Sequence, residues 1–197
     1  MNKLFKSVVF SAVIILLFQS MTLYADCYAI RKNTLRLHII ASSDGRKDQQ
    51  LKLELRDHIL DYTSAYFTSA ISKQDAENRV SMHISEITCL SQKFLAHKGY
   101  NKNVTVQLKN MYFGTRVYDS FTLPAGYYDA LRITIGEGKG HNWWCVMFPQ
   151  LCVPAASKRN EDIYTSTQQE LVNGGVKYEY KFKIAEFFEN VFDFFKH

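Results

Sequence analysis

The chain has 197 residues, enough for one hydrophobic core and a short appendage but short for two full domains. Hydrophobic residues make up 47% and charged ones 22%, with three prolines and nine glycines, which excludes a disordered or low-complexity chain. The net charge is +5, and the first acidic residue is Asp26, so setting aside Lys3 and Lys6 as part of an apolar leader leaves +3. Interspersed charge of that size gives no reason to expect a nucleic-acid partner.

Lys3 and Lys6 precede an unbroken apolar-to-small run from Val8 to Phe18, the order of a secretory signal. Residues 1–25 are therefore expected to be a leader cleaved after Ala25, with 26–197 forming a single exported domain. The run is shorter than the roughly 20 apolar residues of a spanning helix, and a retained N-terminal anchor is the alternative. Asp26 stands where a lipoprotein needs a small residue before Cys27. In an exported chain Cys27, Cys89, Cys145 and Cys152 can pair in three ways. Cys145 and Cys152 are the expected disulfide, because Pro149 can turn the chain within WWCVMFPQLC; closing so short a loop is worth about 2.5 kcal/mol by chain entropy. Two buried free thiols are the alternative.

Leu35, Leu37 and Ile39 alternate with Arg36 and His38, the period of a half-buried strand. Asp44 in SSDG then reads as a helix cap, followed by Leu51, Leu55, Ile59, Tyr62 and Tyr66 at helical spacing. Ser72 and Asp75 form an acidic capping box for a second helix, whose stripe of Ala76, Val80, Ile84, Ile87, Ser91 and Phe94 stops at Gly99. Val104, Val106 and Leu108 open a β segment, Met111 to Leu123 reads as another, and Pro124 to Gly126 make a turn. Leu131, Ile133 and Ile135 mark a strand that runs through GEGKGHN into a further strand, WWCVMF. Ala155 to Gly175 reads as a polar connection, and Tyr178, Tyr180 and Phe182 as a strand. Ile184, Phe187, Phe188, Val191 and Phe195 form one side of a C-terminal helix. The fold class is α+β: a mostly antiparallel sheet packed with two long N-terminal helices and a C-terminal amphipathic helix. Phe194 adds apolar surface off the main stripe, so that helix could touch a membrane surface.

Sites of chemistry are few. GEGKG is no Walker loop, since Ile133 stands where the first glycine belongs and Gly140 replaces the Ser or Thr. Its G-x-G-x-G spacing also fails the dinucleotide fingerprint. No CxxC or HxxxH pair exists, and no metal or other cofactor is expected. A secreted thiol hydrolase would take Cys145 as nucleophile, His38 or His141 as base, and Asp44 or Glu137 as orienter. The more unusual feature is the concentration of Glu137, Lys139, His141, Asn142, Trp143 and Trp144 in one glycine-flanked stretch. Large aromatics beside charged groups on a stiff loop are the composition of a binding hot spot, so these six residues are the expected partner contact. That reading implies a protein ligand, not an enzyme, and no small-molecule substrate.

LRLHIIASSD at Leu35 to Asp44, DQQLKLELRD at Asp48 to Asp57, and LPAGYYDALRITIGEGKGHNWWCVMFPQLC at Leu123 to Cys152 resemble the stage II sporulation protein R family of endospore-forming bacteria, as does KYEYKFKIAEFFE near the end. The resemblance implies an intercellular signal made in the forespore and exported into the space between the two membranes that separate it from the mother cell. There it would activate a membrane-embedded aspartic protease of the mother cell, which then processes the precursor of an early mother-cell sigma factor.

Overall fold

The computed structural model describes residues 3–118, 121–149, 163–173 and Phe182, and these divide into two compact units. The first unit takes in Met1–Lys32, Phe113–Gly126 and Tyr164–His197. Its helix α1 (Lys3–Lys32) exposes Leu4, Phe5, Phe10, Phe18 and Met21 in its first two thirds and buries Cys27 and Ile30 in its last turns. Two short strands, β3 (Arg116–Val117) and β4 (Thr122–Leu123), pair antiparallel. Helix α5 (Ser166–Asn173) packs on α1 and β4 through Leu171 and Val172. This helix lies inside the stretch expected to be a connection. Its signal was present as Thr165-x-x-Gln168, a capping box in which the Gln168 N–H donates to Thr165 Oγ1 (3.4 Å) and the Thr165 N–H to Gln168 Oε1 (3.2 Å). Among the described residues no helix is long and apolar enough to cross a membrane. The expected strand at 178–182 and the C-terminal helix lie outside the described residues, Phe182 excepted.

The second unit, Asn33–Tyr112 and Tyr127–Ile163, is a mixed four-stranded sheet with three helices. The strands β1 (Leu35–Ile40), β2 (Val104–Phe113), β5 (Gly126–Ile135) and β6 (Asn142–Phe148) lie in the order β2-β5-β1-β6. β1 runs parallel to β5, with Leu37 beside Leu131, and antiparallel to β6, with Leu37 beside Cys145. The expectation of a mostly antiparallel sheet missed the parallel pair because alternation carries no strand direction. The helices that follow β1 act as the crossover that a parallel pair requires.

Helix α2 (Arg46–Thr68) lays Leu51, Leu55 and Ile59 on Leu37, Ile39, Leu131 and Ile133. The expected second helix is two: α3 (Lys73–Met82) and α4 (Ile84–His97), broken at His83. The His83 N–H bonds the Val80 carbonyl (3.0 Å), and its Nδ1 donates to the Arg79 carbonyl (2.7 Å), which a continuing helix would give to the backbone. Stacking of the same ring on Tyr66 at 4.5 Å ties the break to α2. The expected Ser72 cap forms, accepting the Asp75 N–H at 3.2 Å. The stop at Gly99 is a Schellman motif: Tyr100 N–H donates to the Leu95 carbonyl and Gly99 N–H to that of Ala96, both 2.9 Å.

β1 departs from the half-buried strand that its alternation suggests, for all six residues are buried, Arg36 completely. The polar members find partners inside. Arg36 Nε donates to the Cys145 carbonyl (3.1 Å) with its guanidinium 5.0 Å from the Tyr128 ring centre. His38 bonds Asn142 Oδ1 through Nε2 (3.0 Å) and stacks on Trp144 at 3.9 Å, rings 5° from parallel. Burial is the main reason the His38 imidazole is pushed down to a pKa of about 4; the Asn142 bond opposes this, and Arg132 and Arg36 add to it.

Candidate functional site: a turn and a glycine loop joined at the sheet end

At the end of β1 the chain turns through Ala41–Gly45, and the loop between β5 and β6 closes over that turn. Four backbone donors of the loop are spent inside the protein. Gly136 N–H goes to the Asn103 carbonyl (2.7 Å), Gly138 N–H to Ile135 (3.1 Å), Lys139 N–H to Ser42 (3.2 Å) and Gly140 N–H to Ala41 (2.9 Å). The backbone amides that a phosphate loop would offer to an anion are therefore engaged, in keeping with the failed motif spacing. The glycines serve close approach. A Cβ on Gly140 would overlap the Ser43 backbone carbonyl, and Gly136 needs its positive φ of 56° with Ser42 Oγ 2.5 Å from where a Cβ would stand.

Asp44, expected as a helix cap, does not cap α2. Gly45 takes the N-cap position without a side-chain bond, while Asp44 Oδ1 accepts the His141 N–H (2.6 Å) and His141 Nδ1. That pairing holds the Asp44 carboxyl below its ordinary pKa, the His141 ring bond contributing most. Beneath the pair, buried Lys52 donates from Nζ to the His141 carbonyl (3.0 Å) and to Gln49 Oε1 (2.6 Å). Burial lowers the Lys52 pKa, partly offset by Asp44. Beside it, Asp48 accepts from Ser43 Oγ and from the Tyr100 hydroxyl, each 2.7 Å, and Lys102 Nζ donates to Ser42 Oγ (2.8 Å). Burial works to raise the Asp48 pKa, but the Ser43 and Tyr100 bonds and the Lys102 charge outweigh it and hold it low.

Of the six residues expected at a contact, four are on the surface. Glu137 and Lys139 form an exposed ion pair (2.7 Å), with His141 and Asn142 exposed next in the chain. The two tryptophans are half-buried and on opposite faces of β6. Trp143 faces the helices, packed on the core and under the Arg56 guanidinium (4.3 Å), and Trp144 faces His38. Among the candidate hydrolase residues, Asp44 and His141 meet, but Cys145 is 3% exposed and disulfide-bonded. Cys27 and Cys89 are in no disulfide, and Cys152 lies outside the described residues. Among the described residues no three His, Cys, Asp or Glu side chains are grouped to hold a metal ion. Sequence reasoning missed Gln49, Lys52, Asp48, Tyr100 and Lys102; Asp48, Gln49 and Lys52 lie within the DQQLKLELRD string.

The second unit is thus a mixed α+β sheet that carries a polar surface where the β1–α2 turn and the β5–β6 loop meet. The family model described as stage II sporulation protein R matches residues 31–158, which include every residue of this surface, and the chain belongs to that family. Stage II sporulation protein R of Bacillus subtilis (strain 168) is 34% identical to it over 145 residues, which cover 71% of this chain and 65% of that protein's length. No solved structure matches the chain.

Proposed function

We propose that the chain is an exported sporulation signal that activates a membrane-embedded aspartic protease of the mother cell. The mature domain, 26–197, binds the extracytoplasmic part of that protease in the space between forespore and mother-cell membranes. By preferring the active state it shifts the receptor towards it, and processing of the sigma-factor precursor follows. The contact is Asp44, Glu137, Lys139, His141 and Asn142, with Trp143 and Trp144 bracing the loop from either face of β6. A Cys145–Cys152 disulfide steadies the strand behind it. The observation that carries this reading is that two neighbouring family strings and a third far along the chain meet at one polar surface, where His141 bonds Asp44 and Lys52. A thiol hydrolase draws no support, since a disulfide-bonded, buried Cys145 has no thiolate to offer. Lys139→Ala and His141→Ala test the contact separately. Each variant should melt at the wild-type temperature yet lower precursor cleavage by tenfold or more, the scale of a hot-spot side chain. Normal cleavage with both would move the contact elsewhere.

A further inference from the structure

The Lys52 ammonium is a poor investment for folding alone. The residue is 4% exposed and both its hydrogen bonds go to neutral acceptors, the His141 carbonyl and Gln49 Oε1, with the Asp44 charge offsetting only part of the burial. Desolvating an ammonium for neutral partners is costly, and an apolar chain of the same length would pack without that cost. The ammonium gains a closed circuit instead. Gln49 Nε2 donates to Asp44 Oδ1 (3.3 Å) and the Ser43 carbonyl (2.8 Å), Asp44 Oδ1 accepts the His141 N–H (2.6 Å), and the His141 carbonyl returns to Lys52 (3.0 Å). Four residues from the β1–α2 turn, the first turns of α2 and the β5–β6 loop are thus locked together from beneath, with Asp44 and His141 side chains left on the surface.

We propose that Lys52 is a positioning residue, whose buried ammonium holds the His141 backbone and, through Gln49, the Asp44 carboxylate in the arrangement that the partner recognises. It rests on the reading of this surface as the receptor contact. Such a residue raises the fraction of molecules ready to bind, so its loss weakens apparent affinity in proportion to that fraction and leaves the bound complex intact.

The test is Lys52→Met in the otherwise unaltered exported chain, with Gln49→Met as a second break of the circuit that leaves the ammonium in place. Hydrogen exchange is followed at the His141 and Gly140 amides and at Leu37 and Ile39 of β1, and binding is titrated against the purified extracytoplasmic part of the receptor protease. Lys52→Met should melt no lower than wild type, and Gln49→Met somewhat lower because it strips the buried ammonium of an acceptor; both should exchange His141 about tenfold faster with β1 unchanged, and need about tenfold more protein for half-saturation, at an unchanged plateau. Faster exchange in β1 together with a lower melting temperature would make Lys52 merely structural and overturn the proposal. So would unchanged exchange at His141. A loosened loop with an unaltered titration would instead refute the surface as the contact, and the positioning role with it.

Discussion

Trp143→Ala should destabilise the protein by about 3 kcal/mol, the lower end of the cost of truncating a packed Trp, because the ring is half-buried. The side chain sits opposite Ile39 on the helix-covered face of the sheet and packs on the main core, under the Arg56 guanidinium. Its removal leaves a void between β6 and α2 and an arginine without its ring. Trp143→Phe should cost only about 1 kcal/mol, since among the described residues the buried indole N–H has no hydrogen-bond partner to lose. Urea denaturation of the two variants separates packing from recognition. An alanine variant that unfolds at the wild-type urea concentration but no longer signals would mark the indole as a contact in its own right.

Lowering the pH from 7 to 5 should remove about 2 kcal/mol of stability through His38 alone. Its folded pKa of about 4 lies below the ordinary 6.5, so the unfolded chain binds the proton that the folded chain refuses. The contribution is complete above about 6.5, declines as the pH falls, and is fully lost near 4. The carboxylates held low, Asp44, Asp48, Asp75 and Asp129, weaken the fold only below their ordinary range near 4. Glu77, whose pKa burial raises, acts in the opposite sense and at higher pH, the fold gaining as the pH falls towards the ordinary 4.5. The comparison is therefore between wild type and His38→Gln: melting temperatures at pH 7 and pH 5 should fall several degrees further in wild type than in the variant. Parallel declines in the two proteins would show that His38 is not the titrating group.

The elements were legible where one physical signal dominated. The stripes at Leu51–Ile59 and Ala76–Val80, the Ser72 cap and the Gly99 stop are written in local spacing, and they stand as expected. What escaped depended on partners distant in sequence. Arg36 and His38 look like solvent-facing positions until Cys145, Tyr128, Asn142 and Trp144 supply their bonds and stacking. Asp44 looks like a cap until a loop nearly a hundred residues away brings His141 to it. The break at His83 turns on a ring bonding its own helix and a tyrosine on another. At the candidate surface, composition singled out Glu137 to Trp144, but alternation along β6 was needed to divide exposed from packed residues, and Lys52 carried no mark of its role. The hydrogen bonds that reveal it reach back from residue 141.

We propose that the domain acts after export, by being bound outside the cell that makes it. The most direct measurement is to express the chain together with the receptor protease and the sigma-factor precursor in a host that does not sporulate, with the leader present, deleted or replaced by an unrelated secretion signal. Cleavage should appear with the native and the replacement leader and vanish when residues 1–25 are deleted. Equal cleavage by the leaderless chain, or cleavage with no chain present, would contradict it.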